Sequence, residues 1–503
     1  MGASKQIKLG AVLSYISIAV NIIAGLLYTP WMVAQIGEGD YGLYTLANSL
    51  ITLFLVDFGL SAATSRYISK YRAEGRQDKI DSFLGAIYKL YLIIDAVIFV
   101  VLFVVYFFID KIYVQLTPTE MEKFRVIYIM AASFAVVNFP FVTFNGILNA
   151  YEKFIQLKLA DVIYRILLVG ITVVALIMGY GLYALVAVHA LVGLIIIAYK
   201  WVIIKKTLPI KVNIKSTERS LYKDIFSFSI WVAVATLAQR LVFNITPSIL
   251  GIVASSTAIA IFGIVATIEG YTYTISSAIN GMFMPKISRI YQGEDAQRNM
   301  MPLMLGVGRF QYALNGLIVA GFAVVGKSFI ELWLGSLYVP AYYGIMLVIV
   351  PGLFYNALEI ANTAMVVQKK VNLQAYVNIG MGLLNVALSF VLSYKFGVVG
   401  ACVSIFVAYT FRTIALIVIY HRVMKFDIIT FVKKCYIRMS IPIVLTVFIG
   451  FGMNYFVPNG GWLIFIAKGA VTVAIYMALT LLLGFNKEEK SNIINMVKSK
   501  IKK

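Results

Sequence analysis

Residues 90–109 read LYLIIDAVIFVVLFVVYFFI, an unbroken apolar run with Asp95 as its single charge. About 20 such residues carry a helix across the roughly 30 Å hydrocarbon layer, where only helices and closed barrels satisfy their backbone groups. Barrel strands are short and alternate in polarity, and this run does neither, so it reads as a membrane-spanning helix. The same reading applied outward predicts spans near 10–35, 41–63, 82–109, 124–149, 159–179, 182–204, 225–253, 259–283, 301–325, 343–366, 373–394, 398–420, 438–457 and 462–485. The predicted fold class is all-α: a polytopic membrane protein of about 14 transmembrane helices.

Charge in the connections fixes an orientation. Both termini and every second connection together hold 31 Lys and Arg, including Arg66, Lys70, Arg72, Arg76 and Lys79 after the second span. The alternate connections hold only Lys111, Lys123, Lys327 and Lys395. The positive-inside rule therefore puts both ends in the cytoplasm. Reporter fusions at Lys215 and Lys327 are expected to signal from opposite faces of the membrane; signals from one face would overturn this topology.

Charged residues are 13% of the chain and hydrophobic ones 61%. The net charge of +21 thus belongs to short loops and to attraction for anionic lipid headgroups, not to a nucleic-acid-binding domain. Cys402 falls in a span, Cys435 in a loop, and His189 and His421 each stand alone, so no disulfide framework, metal or cofactor is expected. The first apolar run is too long for a signal-peptide core and lacks a small-residue cleavage site. Gln6 breaks the myristoylation pattern that Gly2 begins. No connection exceeds about twenty residues, which leaves no room for a catalytic domain outside the bilayer; a non-enzymatic role inside it is expected.

Sequence near the start recurs about 217 residues later. Tyr28-Thr29-Pro30 answers Ile245-Thr246-Pro247, Arg66–Tyr71 answers Pro285–Ile290, and Gly181–Ala184 answers Gly397–Gly400. This offset divides the chain into a six-helix lobe at 1–204, a basic linker at 205–224, a second six-helix lobe at 225–420, an added helix pair at 421–485 and a basic tail at 486–503. Six is an even number of crossings, so the two pseudo-symmetric lobes start on the same side and the repeat is parallel. Transporters built this way place substrate between the halves.

Polar side chains are costly in lipid, and four predicted helices carry them at helical spacing, stacked on one face. These faces are Ser14, Ser17, Asn21 and Tyr28; Tyr41, Thr45, Asn48 and Thr52; Thr236, Arg240, Asn244 and Pro247; and Glu269, Tyr273, Ser276 and Asn280. Either they look into a water-filled cavity or they join neighbouring helices. Arg309, Tyr312 and Asn315 form another such face in the ninth span, and Arg412 lies in the twelfth. Deep acids at Glu269, Glu359 and Asp95 are candidates for ion coupling, while an Arg240–Glu269 or Arg240–Glu359 ion pair would instead lock the bundle. Asp57, Asp161 and Arg165 are read as lying near cytoplasmic helix ends, where snorkelling or capping accounts for them. Substrate contacts are expected from Arg240, Arg309, Arg412, Asn21, Asn48, Asn244, Tyr273 and Asn280. Guanidinium forks suit phosphate, and amides and hydroxyls suit sugar, so a diphosphate carrying sugars fits both sets.

Gly37-Glu38-Gly39-Asp40-Tyr41-Gly42-Leu43-Tyr44, Asp57-Phe58-Gly59-Leu60, the Arg66–Tyr71 segment and Asn149-Ala150-Tyr151-Glu152-Lys153-Phe154 carry a resemblance. The chain resembles the bacterial polysaccharide transporter family, the Wzx-type repeat-unit flippases of the multidrug/oligosaccharidyl-lipid/polysaccharide exporter superfamily. That resemblance implies a two-lobed bundle with a central cavity formed mainly by helices one, two, seven and eight. It also implies undecaprenyl-diphosphate-linked oligosaccharide as substrate, moved to the outer leaflet of the bacterial cytoplasmic membrane by alternating access, with membrane lipids and a polysaccharide polymerase as partners. The polymer would be capsule, exopolysaccharide or a related surface polysaccharide, and in the related lipid II flippases the last two helices hold the lipid tail. A lipid II flippase or a multidrug exporter of the same superfamily is the alternative. A membrane-embedded sugar transferase would need clustered carboxylates or a metal motif at a loop edge, and the longest loops are basic.

Overall fold

The computed structural model describes residues 3–54, 57–213, 219–280, 283–293, 295–458, 460–486 and 489–490. The side chains of residues 3–15, 54, 219–229, 232, 279–280 and 285 lie outside that description, as do the tail lysines from 498 onward. Among the described residues all regular structure is helical. The helices are α1 (Ala3–Ile36), α2 (Glu38–Phe54), α3 (Leu60–Ala73), α4 (Gln77–Ile112), α5 (Pro118–Asn138), α6 (Thr143–Ala150), α7 (Phe154–Ile177), α8 (Gly181–Thr207), α9 (Arg219–Phe243) and α10 (Thr246–Val253). They continue as α11 (Ser256–Asn280), α12 (Met284–Gln292), α13 (Ala296–Leu334), α14 (Val339–Ala357), α15 (Glu359–Val367), α16 (Val371–Arg422), α17 (Ile428–Phe431), α18 (Arg438–Phe456) and α19 (Trp462–Leu479).

Among the described residues twelve helical stretches are long and apolar enough to cross a membrane. One of them, α16, is two helices merged at Gly397, whose φ of 55° suits a residue without a Cβ. The 17-residue α2 falls within the second expected span. The protein is therefore a multi-pass membrane protein of about fourteen crossings, in the order the apolar runs predict.

Breaks between helices have identifiable causes. Phe58 (φ 51°) and Gly59 (φ 72°) turn the chain between α2 and α3. Asp57 closes that turn: its carboxylate accepts the Ser61 amide at 3.1 Å and the Tyr91 hydroxyl at 2.6 Å. Pro247 lacks the N–H that would continue α9 into α10. The carbonyls near this break are taken by side chains, with Thr246 Oγ1 donating to Val242 O at 2.6 Å and Asn385 Nδ2 to Leu241 O at 3.1 Å. Its sequence counterpart, Pro30, sits inside the uninterrupted α1, so the repeated motif has diverged in conformation.

By packing, the chain forms two compact units. The first comprises residues 1–263 and 378–401, and the second comprises 264–377 and 402–503. This is a division by contact, whereas the six-helix lobes of the sequence are a division by repeat. Within the first unit α1 lies along α7, and α3 along α6. Here α2 crosses the start of α11 so closely that a Cβ on Gly42 would collide with the Ser256 carbonyl. Gly42→Leu is expected to force these helices apart and lower the melting temperature of the detergent-solubilised protein by several degrees, read by thermal unfolding; an unchanged transition would refute the close crossing.

In the second unit α13 packs on α14, α18 and α19. π-helical turns over Val432–Ile437 and Thr480–Gly484 flank α18 and α19. Such wide turns leave main-chain carbonyls without regular i−4 partners. Arginines fill them: Arg309 Nε donates to Lys434 O at 3.0 Å, and Arg438 donates to Leu483 O and Phe485 O at 3.3 Å.

Candidate substrate-binding site

Within the first unit, the polar face of α2 splits in two. Tyr41 and Thr45 lie against Gly263, whose added Cβ would meet Thr45 Oγ1 at 2.8 Å and the Tyr41 hydroxyl at 3.3 Å. These two residues join helices. One and two turns further on, Asn48 is exposed and, with Tyr44 and Thr52, lines a cavity of about 110 Å³. Phe134, Asn138 and His189 complete its wall from α5 and α8.

On α1, Ser17 is buried and Asn21 Nδ2 returns to the Ser17 carbonyl at 2.9 Å. The main-chain carbonyl of Asn21 accepts a long bond from Arg165 Nη2 on α7, at 3.4 Å. Ser14 and Asn280, both expected on polar faces, have side chains outside the described residues. On α9, Arg240 is half-buried and donates through Nη1 to the Thr52 carbonyl, with Asp57 in its electrostatic field. Asn244, one turn on, is half-buried beside the α9–α10 break. The described hydrogen bond of Arg240 is to α2, within the same unit.

Another polar cluster lies in the second unit. Arg412 is 6% exposed, and its guanidinium lies over the Tyr355 ring at 5.4 Å, within cation–π range. With Glu359, Asn362, Thr413 and Tyr420 it borders a space of about 10 Å³, roughly the size of one water. Glu359 accepts from Asn362 Nδ2 at 3.0 Å and stands in the field of Arg412. Glu269 and the 52%-exposed Tyr273 interact electrostatically with Tyr355 and Tyr409, whose rings stack at 5.3 Å. Two of the deep acids thus share one neighbourhood with Arg412. Asp95 lies apart, half-buried on α4, and its Oδ1 has no hydrogen-bond partner.

The face of α13 is taken up by internal contacts. Arg309 is 4% exposed and grips the Glu489 carboxylate at 2.8 and 2.9 Å. Tyr312 bonds Ser440 at 2.7 Å. Asn315 Oδ1 accepts from Ser276 at 2.9 Å and from Asn356 at 3.2 Å, so Ser276 also ties helices together. Among the described residues no group of three or more His, Cys, Asp or Glu could hold a metal ion.

Sequence reasoning passed over Tyr44 and Asn138, read His189 as standing alone and gave Arg165 no part in a site. Tyr164 and His189 meet at 3.0 Å, so the histidine read as solitary has a polar neighbour on α7. The available signal was a pair of polar residues, Tyr164 and Arg165, inside an otherwise apolar run.

These guanidinium, amide and carboxylate groups sit on a fold similar to that of several solved transporters. The lipid II flippase MurJ, in an inward closed conformation, superposes with a TM-score of 0.73 at 15% identity, covering 94% of this chain and 98% of its own. An inward-facing multidrug resistance MATE family transporter of the MOP superfamily gives 0.65 at 14% identity, covering 82% and 96%. A variant of the Vibrio cholerae MATE transporter VcmN gives 0.59 at 12%, covering 84% and 97%. No curated protein sequence matches the chain. Residues 9–291 match the polysaccharide biosynthesis protein family, and the chain belongs to it.

Proposed function

We propose that the protein is a Wzx-type flippase. It carries undecaprenyl-diphosphate-linked oligosaccharide units from the cytoplasmic to the outer leaflet of the bacterial cytoplasmic membrane, by alternating access, for capsule, exopolysaccharide or related surface polysaccharide. Both termini lie in the cytoplasm, and a polysaccharide polymerase takes the delivered unit. The role is transport, not catalysis.

The observation that carries this reading is Arg240, a guanidinium within a candidate span whose described hydrogen bond, to Thr52 O, engages one of the five N–H groups of the fork. The remainder of the fork suits the diphosphate, with Asn48, Asn244 and Asn21 of the same unit as further contacts; Arg412, Tyr273 and Asn280 of the second unit are the other expected substrate residues. Membership in a polysaccharide biosynthesis family supports the choice of cargo. Polar walls replace water around the diphosphate, which otherwise meets the full cost of charge in hydrocarbon. An inward-negative potential favours outward movement of an anion by about 2.3 kcal/mol per charge per 100 mV. Arg309, engaged by Glu489, acts on substrate only if that pair opens. Glu269, Glu359 and Asp95 are the candidates for proton or sodium coupling.

The test is reconstitution of the full chain into liposomes holding radiolabelled undecaprenyl-diphosphate oligosaccharide, with external glycosidase reporting leaflet transfer. Transfer above protein-free vesicles is expected. Transfer of lipid II alone, or of a cationic drug alone, would replace this reading with the corresponding member of the superfamily.

A further inference from the structure

By the charge pattern of the connections, the α1–α2, α4–α5 and α10–α11 turns face the outer side of the membrane. The helices that follow them, α2, α5 and α11, bring their first turns together within the first unit. Of these, α2 and α5 belong to the first half of the sequence repeat and α11 to the second. Glu120 on α5 accepts the Ser256 hydroxyl of α11 at 2.5 Å. Its other carboxylate oxygen takes the Thr117 amide at 2.9 Å in a capping box, so the group is held in place by its own helix. Lys123 ties α5 to α2 through Asp40, at 2.7 and 3.0 Å, which joins these two ends to each other.

Glycines let the two halves touch. A Cβ on Gly39 would stand 3.3 Å from Glu120 Oε1 and 3.9 Å from Ser256 Oγ, and one on Gly42 would collide with the Ser256 carbonyl. Two turns further along α11, Gly263 receives Tyr41 and Thr45. The end of α10 repeats the pattern, with Gly251 against the Tyr113 ring. Helices that approach through glycine meet backbone to side chain without deeply interlocked side chains, so such a seam can part and close again along smooth faces. Glu120–Ser256 fastens it with a charge-assisted hydrogen bond, the strong and directional kind. A carrier that releases cargo outward has to separate these ends.

We propose that the Glu120–Ser256 hydrogen bond is a latch that holds the outer ends of the two halves shut, and that the seam along Gly39, Gly42 and Gly263 parts when cargo is released to the outer leaflet. The proposal rests on the reading of the protein as an alternating-access flippase and names the contact that controls its outward opening.

The first test measures distance and needs no transport. The full chain, with Cys402→Ala and Cys435→Ala, carries spin labels at the exposed positions Gln115→Cys and Ser255→Cys, one on each half, and pulsed electron paramagnetic resonance in lipid nanodiscs reports their separation. A single short separation is expected with the latch intact. Removing a contact that favours one state shifts the population toward the other, so Ser256→Ala or Glu120→Ala should raise a longer separation at least tenfold. The same distribution in all three proteins would overturn the latch. Should Glu120→Ala fail to fold through loss of its cap, Ser256→Ala decides. The second test locks the seam with Gly39→Cys and Ser256→Cys, which the close approach of these positions allows to form a disulfide. Oxidation should cut leaflet transfer in the liposome assay at least tenfold and dithiothreitol should restore it; undiminished transfer by the fully oxidised protein would also overturn the latch. Absence of transfer by wild type would count against the flippase reading, whereas the distances judge the latch by themselves, so the two failures are separable.

Discussion

Cells whose only copy of the protein carries Arg240→Ala are expected to lose surface polymer almost entirely, with the mutant still present in the membrane at normal amount. Arg240 sits on α9, one turn before the break at Asn244, and bridges to α2 through the Thr52 carbonyl. Alanine removes both the bridge and the fork that would hold a diphosphate. Transfer should fall by at least a factor of ten, about 1.4 kcal/mol of lost interaction with the moving anion. Arg240→Lys keeps the charge but not the planar pair of donors, so partial activity is expected. Full activity of the lysine variant would reduce the role of Arg240 to simple charge, and normal polymer from a stably expressed alanine variant would remove Arg240 from the site.

Glu489→Ala is expected to destabilise the protein measurably. It leaves the Arg309 guanidinium buried against α18 without its carboxylate partner. Breaking a fully buried ion pair costs about 3–5 kcal/mol; because Glu489 is 23% exposed, about 2–4 kcal/mol is the fitting range. For a chain of this size that corresponds to a fall in melting temperature of roughly 2–4 °C. The measurement is thermal unfolding in detergent. The double variant with Arg309→Met should recover part of the loss, since the stranded charge is gone; equal melting temperatures for wild type and Glu489→Ala would show that the pair contributes nothing.

What the sequence disclosed follows from what lipid demands. Apolar length and loop charge are local quantities, so the crossings and their order were legible, including the pair merged at Gly397. Helix ends were less so. α7 continues through Gln156 and Lys158, where hydropathy cannot distinguish a helical turn from a loop, so its observed start at Phe154 lies five residues before the expected one. Polar faces were visible as spacing, yet spacing cannot say what a face meets. Tyr41 and Asn48 share one stripe on α2; one is sealed against Gly263 and the other borders a cavity. On α13 the stripe is real, but the partners of Arg309 stand 125 and 180 residues further along the chain. No periodicity in a single helix reports such a distance.

That last separation bears on how the protein is made. Arg309 enters the membrane long before Glu489 leaves the ribosome, so through much of translation a guanidinium waits in the bilayer without a counter-charge. Completion of the bundle is thereby tied to the final stretch of synthesis, and a chain cut short before Glu489 would present the quality-control proteases with an unneutralised arginine. A C-terminal deletion reaching Glu489 should shorten the half-life of the protein even where every membrane crossing is retained.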